Sequence, residues 1–426
     1  MARTSARLAP LALILSLASL RLALAEDWPG FRGPGGQGIS GETGIPVRWS
    51  DEENVVWRRD IEGEGWSSPI VQGDLVFVTT ATEGGTVCRV ICFGRDDGSV
   101  RWSREVSPQA TRRKEAKNSY ASPTPVADAS RVYAVFGDGT IAALDRQGNI
   151  AWMNREVQFY SQHGLGASPL LHGDLLIMPF DGSSEGGDRE AGWRKPWEGS
   201  VLLAVETATG KVRWRGKRGL SRIAHTTPVL HRHEGRLEVL SNAGDVIQGF
   251  DPLDGKLLWT VRSQGEGVVP TIVTGEGLIF TASGFEEPSV RAVRAGARGD
   301  ATSTHIAWED KKGVPMIPSM VYRKPHLFAV TTGGVVTCYE AATGKILKQQ
   351  RIGGNHSSSP VWAEGRLYFL SEEGEAVVLE ADPELREVAR NTVSGRCQAS
   401  LAVSAGRIFV RTHARLLAIG KSRNTP

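Results

Sequence analysis

The chain has 426 residues, of which 40% are hydrophobic, with 50 glycines and a formal net charge of +3. Length alone would suggest two or three domains, and the nearly balanced charge gives no argument for nucleic acid or anionic lipid as a partner. Cys88 and Cys92 lie four positions apart on one predicted strand, which is too far for a disulfide between them. We expect the cysteines to be small buried apolar residues, with a disulfide involving Cys397 as the alternative.

Residues 1–25 have the features of a secretory signal peptide. Arg3 and Arg7 precede an apolar run, and Ala23-Leu24-Ala25 offers small residues at the cleavage positions. The alternative is an uncleaved anchor, although the apolar run is shorter than the roughly 20 residues of a membrane span. We therefore predict export to the periplasm or cell envelope, with peripheral association with the outer membrane left open. Removal of this segment, including Arg21, would leave a formally neutral chain.

Residues 26–53, which include DWPGFRGP from Asp27, form a Gly/Pro-rich N-terminal strap that is predicted to be neither helix nor regular strand. We expect this strap to lie across the folded body. The next residues, Asn54–Asp60, have the pattern of a strand carrying Trp57.

A repeated pattern of four strands occupies residues 54–420. The stretch Ser122–Trp152 contains four β-type runs separated by Gly/Asp turns, which is typical of one four-stranded antiparallel sheet. The pattern occurs eight times, with units opening near Ser68-Pro69, Ser122-Pro123, Ser168-Pro169, Thr227-Pro228, Val269-Pro270, Val314-Pro315, Ser359-Pro360 and Ala399-Ser400. Such a period predicts an all-β fold, an eight-bladed β-propeller of four-stranded antiparallel blades that forms a single domain.

The last unit lacks a fourth strand. We predict that Val55–Arg59 lies alongside Leu416–Ile419 and closes the ring, because this pairing would remove an exposed sheet edge. Residues 421–426 are predicted to be a C-terminal tail.

The closing pattern of unit two, Ala143-Leu144-Asp145 followed by Gly148 and Trp152, resembles the tryptophan-docking repeat of the pyrroloquinoline quinone (PQQ) propeller superfamily. The opening DWPGFRGP and the segment RGDATSTHIAW resemble exported planctomycete-type PQQ-like repeat proteins, which are similar in architecture to the outer-membrane assembly propeller BamB. The resemblance implies that a tryptophan of the outer strand packs between neighbouring blades, a role carried over to Trp57, Trp102, Trp152, Trp214, Trp259 and Trp308. Lys348 and Ala389 occupy this position in units six and seven.

The resemblance also raises the question of a quinone cofactor. In PQQ alcohol dehydrogenases, catalysis uses an aspartate base, a calcium ion held by carboxylate and amide side chains, and an adjacent-cysteine disulfide over the cofactor. This sequence has no Cys-Cys pair, no Cys-x-x-Cys-His haem attachment site and no carboxylate cluster placed to bind calcium. We therefore expect no catalytic residue, no metal and no PQQ.

Polar and aromatic residues occupy the segments that enter the innermost strand of each unit. In a propeller these segments converge at one mouth of the central channel, where a rigid scaffold can present a binding surface. The alternative is that the same side chains cap the channel and satisfy backbone groups at the strand ends. The candidate binding residues are Trp66, Asn118, Tyr120, His163, Arg222, His225, His356 and Arg396.

Two further segments offer weaker candidates. The insertion Asp181–Ser200 contains Asp181, Glu185 and Asp188, which suggest a calcium loop without its regular spacing. Its Trp193 and Trp197 either fold down over the blade, contact a partner or stack on a sugar. His231 and His233 lie at a predicted hairpin turn and would need a third ligand to hold a metal. The predicted function is a monomeric, non-catalytic module of the cell envelope that binds a protein partner or peptide, or serves as a scaffold. The alternatives are a quinone-dependent dehydrogenase and a carbohydrate-binding propeller.

Overall fold

The computed structural model describes residues 25–421, which form a ring of eight sheets. The predicted signal peptide lies outside the described residues except for Ala25, as does the predicted tail except for Lys421. The first strand, β1 (Val55–Asp60), belongs to the last sheet. Among residues 25–421, no helix has the length and apolar character needed to cross a membrane.

The first four blades follow one another along the chain, each with its innermost strand first. Blade 1 contains β2 (Ile70–Gln72), β3 (Leu75–Thr82), β4 (Val87–Gly94) and β5 (Val100–Pro108). Blade 2 contains β6 (Val126–Ala127), β7 (Arg131–Val135), β8 (Ile141–Asp145) and β9 (Ile150–Asn154). Blade 3 contains β10 (Leu170–His172), β11 (Leu175–Phe180), β12 (Val201–Glu206) and β13 (Val212–Lys217). Blade 4 contains β14 (Val229–His233), β15 (Arg236–Ala243), β16 (Val246–Phe250) and β17 (Leu257–Arg262).

The last four blades follow the same order, with one insertion in blade 5. Blade 5 contains β18 (Val273–Gly275), β19 (Leu278–Ala282), β20 (Val290–Arg294) and β22 (Ile306–Asp310). The insertion lies between β20 and β22 and consists of a short strand, β21 (Gly299–Asp300), and the helix α1 (Thr302–His305). Blade 6 contains β23 (Val321–Arg323), β24 (His326–Val330), β25 (Val335–Glu340) and β26 (Ile346–Arg351). Blade 7 contains β27 (Val361–Ala363), β28 (Arg366–Leu370), β29 (Glu375–Glu380) and β30 (Glu387–Thr392). Blade 8 contains β31 (Ala402–Ser404), β32 (Arg407–Arg411), β33 (Arg415–Ile419) and β1. Short 3-10 turns lie at Pro34–Gly36 and Glu83–Gly85.

The ring closes where the two ends of the chain pair. Strand β1 runs antiparallel to β33, with Val55 opposite Ile419 and Arg59 opposite Leu416. This pairing confirms the predicted closure and gives blade 8 the four strands of a regular blade, whereas the sheet of blade 4 gains β21 as a fifth strand. Because the pairing covers the outer edge of β33, the ring is held together by the same backbone hydrogen bonds that hold each blade.

A closed circle of hydroxyl groups links the innermost strands of all eight blades. A serine or threonine stands two residues before each innermost strand, and its side-chain oxygen accepts a hydrogen bond from the backbone N–H of its counterpart in the preceding blade. The circle runs, donor to acceptor, Ser68, Thr124, Ser168, Thr227, Thr271, Ser319, Ser359, Ser400 and back to Ser68, at 2.9 to 3.4 Å. Thr124 holds this place in blade 2, and Ser122, which the repeat predicted there, lies outside the circle. The hydroxyls satisfy N–H groups that a channel wall would otherwise leave unpaired.

Tryptophans of the outer strands connect neighbouring blades. In five of the six, the indole N–H donates to a backbone carbonyl in the next blade at 2.8 to 3.1 Å, and a glycine with positive φ lies beneath the ring. At Gly148, for example, a side chain would come within 2.7 Å of the Trp102 indole. The pairs are Trp57 with Arg95, Trp102 with Arg146, Trp152 with Thr207, Trp214 with Pro252, and Trp308 with Ala341.

Trp259 differs from the other five. It is buried between blades 4 and 5, but its indole N–H donates to Glu238 Oε2 in its own blade, at 2.8 Å. The insertion of blade 5 explains the difference, because β21 pairs in parallel with β17 and sets Gly299 opposite Trp259. The added strand therefore lies beside Trp259, where a regular blade presents the carbonyl that accepts the indole N–H.

Blades 6 and 7, which have Lys348 and Ala389 in place of the tryptophan, pack by other means. In the turn of blade 7, Leu385 adopts a φ of 52° where the other turns have glycine, and its side chain is fully buried against blade 6. Beside Ala389, the strap supplies Trp49, whose ring stacks on Tyr368 at 6.5 Å. In blade 1, Phe77 and Trp102 lie at a similar ring separation of 5.9 Å, although their rings are tilted at 49° rather than stacked at 17°. The strap therefore provides the aromatic ring that blade 7 lacks.

Candidate binding cavity at the channel mouth

The strap closes one end of the central channel. Trp28 exchanges backbone hydrogen bonds with Val71 of β2, both at 2.8 Å, and further strap residues contact blades 2, 4, 5, 6, 7 and 8. Arg32 is buried and donates to backbone carbonyls of Gly36, Gln37, Met320 and Pro360. Burial lowers the pKa of this guanidinium to about 9. The strap end is therefore a packed plug whose central cation is surrounded by acceptors.

The other end of the channel opens into a cavity of about 590 Å³. Its floor is Phe31 of the strap, its middle is the circle of hydroxyl groups, and its upper wall comes from the loops that precede the innermost strands. Apolar side chains contributed by different blades form much of the wall, among them Trp66, Phe285 and Ile317. The site is therefore a closed-bottom pocket on the ring axis rather than an open pore.

Four of the eight predicted binding residues line this cavity: Trp66, Asn118, His163 and His225. Asn118 donates to the backbone carbonyl of His163 at 2.8 Å, which ties two neighbouring loops together. A fifth residue, Arg396, stands with its guanidinium 5.4 Å from the centre of the Trp66 ring. The structure therefore brings five of the predicted residues to one opening.

The other three predicted residues do not line the cavity, because each is engaged elsewhere. Tyr120 lies against Gly85 and donates its hydroxyl to the carbonyl of Arg112 at 2.5 Å. Arg222 forms ion pairs with Asp245 and Glu286, both at 2.8 Å. His356 is buried, with Nε2 2.9 Å from the carbonyl oxygen of Gly353. For these three, the interpretation as capping groups that hold the loops describes their contacts better than a binding role.

Several cavity residues were not predicted from the sequence. Phe285 and Thr332 lie on loops between the second and third strands of blades 5 and 6, and Ile317 and Gln398 lie next to the hydroxyl circle. In an antiparallel blade, the loop after the second strand opens on the same face as the loop before the first strand. Counting both kinds of loop in every repeat would have found Phe285 and Thr332.

Burial shifts the pKa of three groups in the cavity, His163, His225 and Glu266, towards their neutral forms. Burial, with a smaller contribution from His163, lowers the pKa of His225 to about 3. Burial also lowers the pKa of His163, whose ring centre is 5.9 Å from that of His225. The pKa of Glu266 is raised by burial and by the nearby carboxylate of Glu286. At neutral pH the deep part of the cavity therefore presents two uncharged imidazoles.

The acidic residues of the long insertion are occupied by ion pairs. Asp181 is buried in a pair with Arg218, at 2.5 and 2.9 Å, while Glu185 pairs with Arg112 at 3.0 Å and Asp188 with Lys195 at 3.6 Å. These contacts explain the acidic residues without a calcium ion. Nowhere in residues 25–421 do three His, Cys, Asp or Glu side chains group in a way that could hold a metal, and His231 and His233 stack on each other at 6.2 Å. The four cysteines are free and buried.

The residues that line the cavity do not suit the quinone cofactor of the superfamily. PQQ carries three carboxylates, which need basic groups or a metal around them when they leave water. The cavity wall contains one lysine, Lys117, which pairs with Glu372 at 2.7 Å, and it contains the two glutamates Glu115 and Glu266. A wall of this composition offers no free cation to the three carboxylates, so the residues present do not fit PQQ.

Comparisons with known proteins agree with this architecture. The family model described as "Outer membrane protein assembly factor BamB" matches residues 47–223, 197–284, 243–385 and 333–422. The outer membrane protein assembly factor BamB of Burkholderia pseudomallei is 24% identical over 54% of this chain and 64% of its own length. The tetrathionate hydrolase of Acidithiobacillus ferrooxidans is 23% identical over 74% of this chain and 65% of its own length. The chain thus spans less than two thirds of each of these relatives.

Solved structures show the same fold at low sequence identity. BamB from Moraxella catarrhalis superposes with a TM-score of 0.59 at 15% identity, covering 86% of this chain and 99% of that one. A europium-containing methanol dehydrogenase superposes with a TM-score of 0.51 at 10% identity, covering 91% and 90%. The match of the family model along the eight closed blades shows that the chain belongs to the family of BamB-like, PQQ-repeat β-propellers.

Proposed function

We propose that this protein is exported to the cell envelope and acts there, without catalysis, as a module that binds or scaffolds a partner protein. In this proposal the partner presents an extended segment to the open mouth of the channel. The observation that carries the proposal is the difference between the two ends of the ring. The strap fills one end with packed side chains, whereas the other end exposes aromatic and apolar groups around a cavity.

The rim of the mouth has the composition of a protein-binding surface. Phe285 is 45% exposed on the loop between β19 and β20, and Leu220 is 53% exposed on the loop before blade 4. Trp193 lies on the same face, with the guanidinium of Arg194 4.4 Å from its ring centre. Aromatic residues and arginines are enriched in the central parts of protein interfaces. Because the blades beneath are rigid, little ordering entropy would be lost on binding.

The relatives alone do not decide between binding and catalysis. One of them is named an assembly factor and another a hydrolase, and the solved structures include a dehydrogenase. What favours binding is the chemistry of the mouth, where His225 and His356 are buried and Arg222 is already paired with Asp245 and Glu286. A partner of the kind that the name assembly factor implies would use such a surface through its shape and apolar contacts.

Site-specific photo-cross-linking in the native cells tests this proposal. A photo-reactive amino acid replaces Phe285 at the mouth, and a matched control replaces Leu253, which is 76% exposed in the turn between β16 and β17 at the strap end. The expected result is an adduct of one discrete mass from position 285 and none from position 253. Phe285→Ala should then weaken binding of the identified, purified partner about tenfold, which is about 1.4 kcal/mol, while Leu253→Ala leaves it unchanged. Equal adducts at both positions, or none at either, would contradict the proposal.

Export and assembly state are tested separately. N-terminal sequencing of the protein isolated from its own cells should begin at Glu26, the residue after the predicted cleavage position. Light scattering of the purified protein should give the mass of a monomer. A chain that retains Met1 in the cytoplasm would contradict the envelope location without affecting the binding surface.

A further inference from the structure

Four buried polar atoms around the cavity have no hydrogen-bond partner within the described part of the chain. They are Nδ1 of His225, Oε2 of Glu266, Oγ1 of Thr332 and Nε2 of Gln398. These residues come from blade entrances or loops on different sides of the ring, and all four line the same cavity. Buried polar groups in native proteins are nearly always paired, and an unpaired one destabilises the fold by about 1–3 kcal/mol. The cavity is therefore arranged for a guest that supplies hydrogen bonds.

The rest of the wall determines how much of that guest must be apolar. Phe31 forms the floor, and Trp66, Phe285 and Ile317 stand around it, so most directions within the cavity meet carbon. The volume of about 590 Å³ lies within the range of roughly 300–1,000 Å³ in which protein pockets enclose small ligands. A guest with a flat apolar body and one polar tip would fill both requirements, and this is the shape of a tyrosine or tryptophan side chain.

The charge of the guest is restricted by the same wall. His225 and His163 are neutral at pH 7, and Lys117, the one lysine in the wall, is paired with Glu372. A carboxylate or phosphate in the cavity would lose its hydration without gaining a counterion, which is strongly unfavourable. An ammonium group would meet the carboxyl group of Glu266, whose pKa is raised towards the neutral form. An uncharged guest fits best.

We propose that the cavity receives one uncharged aromatic side chain with a hydrogen-bonding tip, tryptophan or tyrosine, from the partner segment that crosses the mouth. This inference rests on the proposed function, because the segment must be brought to the mouth by the rim. The ring of the guest lies among Trp66, Phe285 and Phe31. Its indole N–H or phenol O–H donates to one of the unpaired acceptors on His225, Glu266 or Thr332.

The first test uses short peptides as probes of the purified full chain. Acetylated and amidated Gly-Ser heptapeptides carry Trp, Tyr, Phe or Leu at the central position, and binding is measured by calorimetry. The Trp and Tyr peptides should bind at least about tenfold more tightly than the Leu peptide. The Phe peptide should have an intermediate affinity, because its ring fills the cavity but has no polar tip. Equal affinity for all four peptides would overturn the inference. Binding of free N-acetyl-tryptophanamide without binding of the Trp peptide would also overturn it, since it would assign the cavity to a free small molecule.

The second test changes the cavity. Thr332→Val removes one unpaired hydroxyl at nearly constant volume, and Thr343→Val is the matched control in the exposed turn between β25 and β26. Ile317→Trp fills the cavity from a wall position that is partly open to it. We expect Thr332→Val to weaken the Tyr and Trp peptides about threefold or more without affecting Phe, and Ile317→Trp to abolish binding of all three. A thermal melt of each variant establishes that it is folded.

The two proposals fail in different ways. If the partner identified by cross-linking binds Ile317→Trp as tightly as it binds the original chain, the rim is the binding surface and the cavity inference is wrong. If no partner cross-links at position 285, the proposed function is wrong, whatever the peptides do. The third comparison is a double-mutant cycle. Ile317→Trp in this chain and alanine in place of the partner's aromatic residue should each weaken binding about tenfold. If the two changes together cause no further loss, the aromatic side chain occupies the cavity.

Discussion

The two ends of the central channel use polar groups in opposite ways. At the strap end, Arg32 is fully buried, and its N–H groups point at four backbone carbonyls, so a cation in the interior is satisfied. At the mouth, His225, Glu266 and Gln398 each have a buried polar atom without a partner in the described part of the chain. The same ring therefore has one end whose polar groups stabilise the fold and another whose polar groups are left available. Substitutions at the two ends should have different signatures.

The largest expected effect is at the strap end. Arg32→Met keeps the apolar stem but leaves buried carbonyls such as those of Gln37 and Met320 without their donor. We expect the free energy of unfolding to fall by about 3 kcal/mol or more. Urea denaturation followed by tryptophan fluorescence measures this change, and Arg58→Met at the exposed edge of β1 is the control. Equal midpoints for the two variants would mean that the strap does not stabilise the ring.

A second large effect is expected where the strap replaces a missing blade residue. Trp49→Ala should lower the free energy of unfolding by about 3 kcal/mol, because it opens a space between Tyr368 and Ala389. Adding Ala389→Trp to this variant restores an aromatic ring from the blade itself and should recover part of the loss. Thermal denaturation of the single and double variants provides the measurement. No recovery would show that Trp49 has a role besides filling that space.

His225 should contribute to the pH dependence of the free energy of unfolding. Its pKa falls from the ordinary 6.5 to about 3, so between these values the unfolded chain binds a proton that the folded chain does not. The stability is therefore complete above pH 6.5 and is lost as the pH falls, by about 1 to 2 kcal/mol between pH 6.5 and 5. His225→Gln should be less sensitive to this change in urea melts. His305→Gln, in the short helix of blade 5, should behave like the original chain.

The smallest effect should come from removing an unpaired group at the mouth. Gln398→Leu replaces an amide whose Nε2 has no partner, so the free energy of unfolding should change by less than about 0.5 kcal/mol or rise slightly. Binding of the Trp peptide is measured on the same sample, so that stability and affinity are compared directly. A loss of stability as large as that of Arg32→Met would remove the distinction between the two ends.

The fold was predictable because short sequence patterns identify each repeat. Turns such as Gly137-Asp138-Gly139 separate the strands, and the outer-strand tryptophans identify blades 1 to 5. The strand pattern of Asn54–Asp60 indicated the ring closure. Long-range substitutions were not predictable in this way. Nothing near Ala389 in the sequence indicates that Trp49 fills its space, because the two positions meet only after the ring has formed.

The candidate site was predictable only to the extent that it follows the repeat. Trp66, Asn118, His163 and His225 were found because each precedes an innermost strand, which sets its position in space. Tyr120 and His356 stand in the same kind of segment, but their side chains turn towards backbone groups of their own loops. The direction of a loop side chain depends on local hydrogen bonds that spacing does not encode.

The pairing of Val55 with Ile419 also affects how the chain folds as it is synthesised. Synthesis proceeds from the amino end, so β1 must wait unpaired while the rest of the chain emerges. Joining positions so distant in sequence is slow compared with forming local hairpins, and a waiting strand edge is prone to aggregate. A circular permutant that begins at Ser68 and carries residues 26–67 after Lys421, so that the strap is kept and β1 is made after β33, should therefore fold faster than the natural order.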